Sequence, residues 1–102
     1  MSSSRIEFSP DALEQIRIVH DWWRIHRPAA PELLREELAA ALETIRSSPN
    51  AAKAYPFSAI PGLRRLLMSR TRYHLYLTFH EQRALIFVHA LWHASRGQGP
   101  AL

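Results

Sequence analysis

The chain has 102 residues, of which 47% are hydrophobic and 22% charged, and it contains no cysteine. These totals are typical of one soluble globular domain, and they exclude disulfides and thiolate metal sites. No apolar run approaches the roughly 20 residues that cross a bilayer, and the N-terminus lacks the apolar stretch of a signal peptide, so we expect a cytoplasmic protein. We interpret residues 1–102 as a single domain with short flexible ends at about 1–4 and 97–102.

The net charge of +4 is unevenly distributed along the chain. Residues 1–50 carry eight acids and six arginines, whereas residues 51–102 carry seven bases and one acid, Glu81. A basic half of this kind suits an anionic partner, such as nucleic acid, the ribosome or an acidic protein segment. A basic face that only keeps the protein soluble is the alternative interpretation.

Two helices are predicted in the first half of the chain. Ser9 is a good N-cap and Pro10 suits the first helical position, so the first helix begins there and runs to about His26. A second helix begins near Pro31 and ends at 47–50, and its apolar stripe consists of Leu34, Leu38, Ala41, Leu42 and Ile45. Because the connection is short, we expect the two helices to be antiparallel neighbours.

Strand-like segments flank these helices. Residues 5–8 precede them, and residues 64–68, 73–79 and 84–93 follow a long loop at 49–62. The order predicts an α+β domain, β-α-α-β-β-β, in which a helical hairpin covers one face of a four-stranded antiparallel sheet. Alternation along the last strand predicts Ile86, Val88, Ala90 and Trp92 under the helices, with Phe87, His89, Leu91 and His93 on the other face, unless the register shifts by one residue.

The last strand carries two histidines with candidate chemistry. His89 and His93 are four residues apart, which on a strand separates them by roughly 13 Å. This pair cannot chelate one ion, and neither a cysteine nor an acid is nearby, so we expect no metal site and no cofactor. His93 is a candidate general acid–base residue, and a strand-end histidine that only makes hydrogen bonds is the alternative.

Four arginines of the basic half fall at predicted strand ends or edges: Arg64, Arg65, Arg72 and Arg96. If they converge, they can bind phosphates, stabilise an anionic transition state or receive a carboxylate-rich peptide. Surface arginines without a partner are the alternative. Trp22 and Trp23 point about 100° apart on a helix, so we expect one to pack on the sheet and the other to lie at an interface.

The chain as a whole, from about residue 5 to 100, resembles the RelE/ParE superfamily of type II toxins, particularly its ParE-like branch. The resemblance depends on an ordered set of short segments: 8–12 (Phe-Ser-Pro-Asp-Ala), 22–24 (Trp-Trp-Arg), 27–28 (Arg-Pro), 37–38 with 40–42, 62–67 (Gly-Leu-Arg-Arg-Leu-Leu), 72–76 (Arg-Tyr-His-Leu-Tyr), 90–94 (Ala-Leu-Trp-His-Ala) and 96–97. It implies the fold described above and a toxin that a cognate antitoxin neutralises by wrapping it with a C-terminal segment.

The superfamily contains two activities, and both remain open for this chain. RelE-like members cleave mRNA on the ribosome with basic residues and, in some, a histidine or tyrosine near the chain end; Arg65, Arg72 and His93 match part of such a set. However, the chain has one lysine, Lys53, it lacks a terminal tyrosine, and Leu77 stands where relatives commonly carry a second tyrosine. The resemblance therefore favours a ParE-like inhibitor of DNA gyrase.

The resemblance predicts a toxin that inhibits growth and takes part in plasmid stabilisation. Its alternatives are a ribosome-dependent mRNA endonuclease and a non-toxic family member that only binds an antitoxin. The expected partners are the antitoxin and either gyrase or ribosome-bound mRNA, without a membrane or a small-molecule ligand. The expected partner-binding residues are Arg64, Arg65, Arg72, Trp22 and Arg96.

Overall fold

A computed structural model describes residues 4–102, and the remaining residues of the predicted flexible N-terminus lie outside that range. The elements in chain order are β1 (Arg5–Phe8), α1 (Pro10–His26), α2 (Leu33–Ser47), β2 (Lys53–Ala54), β3 (Arg64–Met68), β4 (Tyr73–His80) and β5 (Leu85–His93). Short 3-10 turns span Pro49–Ala51 and Glu81–Arg83. The five strands form one sheet in the order β1-β5-β4-β3-β2.

The predicted α+β class and the helical cover on the sheet are confirmed, with two differences in the sheet. β1 pairs with β5 in parallel rather than antiparallel orientation, and β2 forms a fifth strand inside the segment predicted as loop. The parallel pair joins segments about 80 residues apart in the sequence, and a pattern of neighbouring residues cannot predict such a pairing. The β3–β4 and β4–β5 pairs are antiparallel, as predicted, and the unpredicted β2 also pairs with β3 in antiparallel orientation.

The bounds of α1 follow from its own end residues. Ser9 accepts a hydrogen bond from the Ala12 amide (3.0 Å) through its hydroxyl, and Pro10 occupies the first turn, as the sequence predicts. α2 begins at Leu33, two residues later than expected, because a turn follows α1 in which the Ala30 amide donates to the Arg27 carbonyl (3.0 Å). The longest helix of residues 4–102 is too short and too polar to cross a membrane.

The core lies mainly between the helices and the sheet. Its largest fully buried side chains come from α2, β4 and β5: Leu34, Ile45, Leu75, Leu77, Ile86 and Val88. A smaller cluster on the opposite sheet face contains Leu63, Tyr76 and Ala90, against which Tyr55 and Ile60 of the long loop pack. Phe57 of that loop does not join the cluster, since it is 82% exposed.

The C-terminal segment lies across this second cluster. The Ser58 hydroxyl and the Ala59 amide donate to the Leu102 carbonyl (3.2 and 3.3 Å), and the Trp92 indole donates to the Gln98 carbonyl (2.8 Å). These bonds connect the loop, β5 and residues 98–102. The flexibility expected for this end of the chain stays a prediction.

A bulge in β5 changes which residues share a face. Tyr76 pairs with Ala90 and Leu77 with Val88, so His89 is an extra residue in the ladder. After this insertion the alternation reverses, which places Leu91 in the helix-side core and Ala90 in the opposite cluster. The predicted faces are therefore correct for Ile86 and Val88 but wrong for the residues beyond His89.

Candidate functional site

A groove of about 720 Å³ lies between the C-terminal half of α1 and one end of the sheet. Three segments form it: α1, the turn between β3 and β4, and the end of β5 with the residues that follow. Its lining is Gln15, Ile18, Val19, Trp22, Trp23, Arg27, Arg70, Thr71, Arg72, Tyr73, Leu91, Trp92, His93 and Arg96. The groove thus joins apolar and basic side chains, and no Asp or Glu among residues 4–102 lines it.

The apolar wall of the groove is formed by α1. Ile18 and Trp22, one turn apart, are 53% and 41% exposed, whereas the adjacent Trp23 packs against the core. The prediction that one of the two tryptophans packs against the core is therefore confirmed, whereas the interface predicted for the other stays a prediction. The Arg27 guanidinium lies 5.1 Å from the Trp22 ring centre and 5.8 Å from that of Trp23, within cation–π range of both.

The basic rim of the groove consists of Arg27, Arg70, Arg72 and Arg96. Among residues 4–102, the ion pairs involve other arginines, and none of these four is within 4 Å of a carboxylate. The Arg96 guanidinium lies over the Trp92 ring at 4.1 Å, so its flat face is held while its N–H groups stay available. Unpaired guanidinium groups beside apolar surface can receive carboxylate or phosphate oxygens.

The backbone at Arg72 is held in an uncommon conformation. Its φ is +67°, a left-handed value that costs a non-glycine residue about 1 kcal/mol or more. Its amide donates to the Met68 carbonyl (2.8 Å), and its carbonyl accepts from the Ala94 amide (2.7 Å). These bonds tie the β3–β4 turn to the end of β5, which fixes where Arg72 meets the groove.

Glu37 of α2 also fixes the turn between β3 and β4. Its carboxylate accepts hydrogen bonds from the Arg70 amide (2.7 Å), the Thr71 amide (2.8 Å) and the Thr71 hydroxyl (2.7 Å). Burial alone raises the pKa of Glu37, but these bonds and the positive charge of Arg70 outweigh it and hold the pKa below its ordinary value. The carboxylate is therefore ionised at neutral pH, and it secures the two residues that precede Arg72.

His93 and Tyr73 lie side by side at the sheet end of the groove. Their rings meet edge to face at 4.8 Å, and the Ser95 amide donates to His93 Nδ1 (3.1 Å). Because Nδ1 accepts this bond, the neutral ring carries its proton on Nε2. Burial raises the pKa of Tyr73, and the charge of Arg96 offsets this only in part, so the phenol remains a neutral hydrogen-bond donor near neutral pH.

The other two predicted arginines lie apart from the groove and from each other. Arg64 shares the helix-side face with Leu66 and donates to the Ala52 carbonyl (2.8 Å). Arg65 is on the opposite face, with its guanidinium 4.8 Å from the Tyr55 ring centre. There burial, and then the charges of Arg65 and Arg72, lower the pKa of His74.

Of the predicted site residues, the structure therefore brings four to one groove: Trp22, Arg72, His93 and Arg96. Arg64 and Arg65 do not join them, so the three candidate nuclease residues do not line a single surface. Sequence reasoning missed Ile18, Arg27, Arg70 and Tyr73 as residues of the site. The exposed Ile18 has a sequence signal, since it stands one turn before Trp22 on α1, whereas Arg70 and Tyr73 are neighbours of Arg72 in the chain.

The fold and the groove can be set beside known proteins. No protein-family model matches the sequence, and no curated protein matches it either. Among solved structures, a chain of the chromosomal ParDE toxin–antitoxin system of P. aeruginosa superposes with a TM-score of 0.70 at 13% identity, covering 90% of this chain and 97% of that one. A chain of the intact E. coli RelBE toxin–antitoxin complex superposes with a TM-score of 0.55 at 21% identity, covering 91% of this chain and 99% of that one.

The isolated E. coli RelE toxin also matches, with a TM-score of 0.54 at 21% identity, covering 93% of this chain and 88% of that one. Identities this low establish a common fold, and the matches span nearly the whole length of each chain. The chain thus has the fold of the RelE/ParE toxins, and the resemblance predicted from the sequence is confirmed at that level. The TM-score is higher for the ParDE chain than for the RelBE and RelE structures.

Proposed function

We propose that the chain is the toxin of a type II toxin–antitoxin system, ParE-like, acting in the cytoplasm without a cofactor and neutralised by direct binding of an antitoxin. One observation carries the proposal: the groove joins the exposed Ile18 and Trp22 to four arginines that have no ion pair within residues 4–102. The fold shared with toxins from the ParDE and RelBE systems supports it.

The chemistry of the groove defines the antitoxin segment that it suits. Apolar side chains would cover Ile18 and Trp22, because these are the exposed apolar groups of the α1 wall. Carboxylates would meet Arg72 and Arg96, whose side chains carry unneutralised charge. An acidic, amphipathic segment fulfils both requirements.

DNA gyrase is the target that we propose, since the resemblance favours the ParE-like branch and the chain has a single lysine. A second candidate, a ribosome-dependent mRNA endonuclease, is favoured by one observation: His93 and Tyr73 lie next to Arg72 and Arg96 in the groove. In that case the arginines would hold phosphate, and His93, with its Nε2 proton, would act as the acid–base residue.

Expression in a bacterial host tests toxicity and separates the targets. We expect growth arrest that co-expression of the neighbouring reading frame relieves, induction of the DNA-damage response and intact mRNA. The variant His93→Gln should remain toxic. Codon-spaced cuts in translated mRNA by primer extension, abolished by His93→Gln, would favour the nuclease. Normal growth with abundant folded protein would contradict toxicity, and retained capture of the neighbouring gene product would then identify a non-toxic binder.

Charge reversal tests which surface the antitoxin uses. Arg72→Glu and Arg96→Glu should each weaken binding of the purified antitoxin about tenfold or more, since each places like charges together. Arg83→Glu, an exposed reversal in the β4–β5 turn, is the matched control and should change the Kd less than about threefold. Arg65→Glu reports on the opposite sheet face. Equal losses for Arg72→Glu and Arg83→Glu would contradict the groove as the binding surface.

A further inference from the structure

The side chain of Gln15 takes the place of a strand beside the groove. β1 pairs with β5 as far as Val88, whereas β5 continues to His93. Beyond the end of β1, the Oε1 atom of Gln15 accepts a hydrogen bond from the Leu91 amide (2.9 Å). Leu91 is only 2% exposed, so this bond satisfies a backbone donor of a buried residue.

The same bond fixes the orientation of the Gln15 amide group. A backbone N–H can only donate, so the atom that faces Leu91 is the oxygen, and the NH2 group is turned away from the strand. Gln15 lines the groove, and the side-chain hydrogen bonds within residues 4–102 use only its oxygen. Its Nε2 atom is not among the buried polar atoms of that range that lack a partner, so it is open to solvent. The groove therefore presents two N–H donors in one fixed orientation.

The other polar side chains at this surface are mainly donors as well. The rim consists of arginines, and a guanidinium has five N–H groups but no acceptor. The neutral ring of His93 carries its proton on Nε2, because Nδ1 accepts from the Ser95 amide. Within the described part of the chain, no carboxylate side chain lines the groove. A segment that binds there must therefore bring hydrogen-bond acceptors.

The acceptor that suits Gln15 differs from those that suit the rim. Guanidinium groups favour carboxylates, because the two charges are opposite. Gln15 is neutral, and it stands one turn before Ile18 and Val19 of the apolar wall and against Leu91. Transfer of a carboxylate into such surroundings costs more than transfer of a neutral carbonyl. Inside a helix the main-chain carbonyls are already bonded, so a free carbonyl comes from an extended stretch or a helix end.

We propose, on the basis of the antitoxin binding proposed above, that Gln15 recognises the main chain of the antitoxin segment. Its NH2 group donates to a main-chain carbonyl that no helix uses. This bond sets the position of the segment along the groove, so that its apolar side chains reach Trp22 and its carboxylates reach the arginines. Gln15 thus recognises backbone conformation, whereas the rim recognises charge.

The side-chain amide protons of Gln15 report on this bond directly. In the ¹⁵N-labelled chain, their exchange with water can be measured by NMR before and after addition of the unlabelled product of the neighbouring reading frame. We expect exchange to slow at least tenfold at Gln15 in the complex, because a hydrogen-bonded proton is protected. Gln82, exposed in the β4–β5 turn, is the internal control and should change less than about twofold.

Gln15→Glu separates recognition from structural support. The variant keeps an oxygen for the Leu91 amide but loses the NH2 group, so the urea midpoint should be unchanged while the Kd rises at least tenfold. Gln82→Glu makes the same change away from the groove and should alter the Kd less than about threefold. The deficit of Gln15→Glu should persist from 0.1 M to 1 M salt, since screening shortens from about 10 Å to about 3 Å and removes effects of the added charge alone.

Three outcomes would overturn the role of Gln15. These are unchanged amide exchange in the complex, an affinity of Gln15→Glu equal to that of the native chain, or a deficit that disappears at 1 M salt. If the native chain does not bind the neighbouring gene product, the proposed function fails and this proposal with it. If the native chain binds and any of the three outcomes is observed, only this proposal fails.

Discussion

Replacement of Glu37 is the sharpest test of how α2 supports the groove. In Glu37→Gln one oxygen remains to accept from Thr71, but the new amide group faces the Arg70 N–H that the second oxygen now receives at 2.7 Å. In Glu37→Ala both Thr71 donors also lose their acceptor, and Thr71 is only 3% exposed. Hydrogen bonds to a charged group contribute about 1.5–3 kcal/mol, and those open to water contribute less.

We therefore expect the free energy of unfolding to fall by about 1–2 kcal/mol for Glu37→Gln and by about 3 kcal/mol for Glu37→Ala. Urea denaturation at neutral pH measures both values. Glu36→Gln is the matched control, because Glu36 is the adjacent exposed carboxylate of α2 and makes no ion pair among residues 4–102. Its replacement should change stability by less than about 0.5 kcal/mol.

The pKa shift of Glu37 predicts in which direction the stability of the protein changes with pH. The folded-state pKa of Glu37 lies below its ordinary value of 4.5, so the unfolded chain takes up the proton first as the pH falls. The stabilisation by Glu37 is therefore fully present above that value and is lost as the pH falls through the lower folded pKa. The deficit of Glu37→Gln relative to the native chain should shrink over the same range. A deficit that is absent at neutral pH, or that grows in acid, would refute the reasoning.

Five other substitutions test the packing and backbone claims by urea denaturation and, for the tryptophans, by partner binding. Trp22→Ala should lower the free energy of unfolding by less than about 1 kcal/mol but weaken antitoxin binding about thirtyfold. Trp23→Ala should lower the free energy of unfolding by about 2–3 kcal/mol. A larger loss of stability for Trp22→Ala than for Trp23→Ala would contradict the assigned faces. Ser9→Ala should cost about 1–2 kcal/mol because it removes a helix cap and a bond to the bulge, while Ser48→Ala, at a site with no side-chain cap bond, should be nearly neutral. Ala84→Gly should stabilise the protein by about 0.5–1 kcal/mol, because Ala84 has a φ of +47°; a loss of stability would show that the left-handed residue carries no strain.

The parts of the fold that the sequence predicts are those set by local chemistry. α1 has the predicted bounds because Ser9, Pro10 and Arg27-Pro28 act on the residues beside them. β3 likewise has its predicted bounds, and the strand alternation correctly separates Ile86 and Val88 from Phe87. Each of these signals depends on a few neighbouring residues.

The parts that the sequence could not predict depend on distant residues. The parallel pairing of β1 with β5 is chosen by the whole fold, and the clamp by Glu37 joins it to residues 33 and 34 positions further along the chain. Arg72 carries no sign of a left-handed backbone, since glycine or asparagine is the usual residue there. The separation of Arg65 from Arg72 also depends on the tertiary fold, since Arg65 lies beside Tyr55 of the long loop whereas Arg72 lines the groove.

The single inserted residue of β5 decides which ring faces the groove. Tyr73 belongs to the helix side of β4, and a residue directly opposite it on β5 shares that side. In the observed ladder that residue is His93, but continuing the register of Leu77 and Val88 without the insertion would place Trp92 opposite Tyr73. The bulge at His89 therefore accounts for the histidine that lies beside Tyr73 at the sheet end of the groove. The Ser9 hydroxyl, which also caps α1, donates a hydrogen bond to the carbonyl of this extra residue and so connects the helix to the bulge.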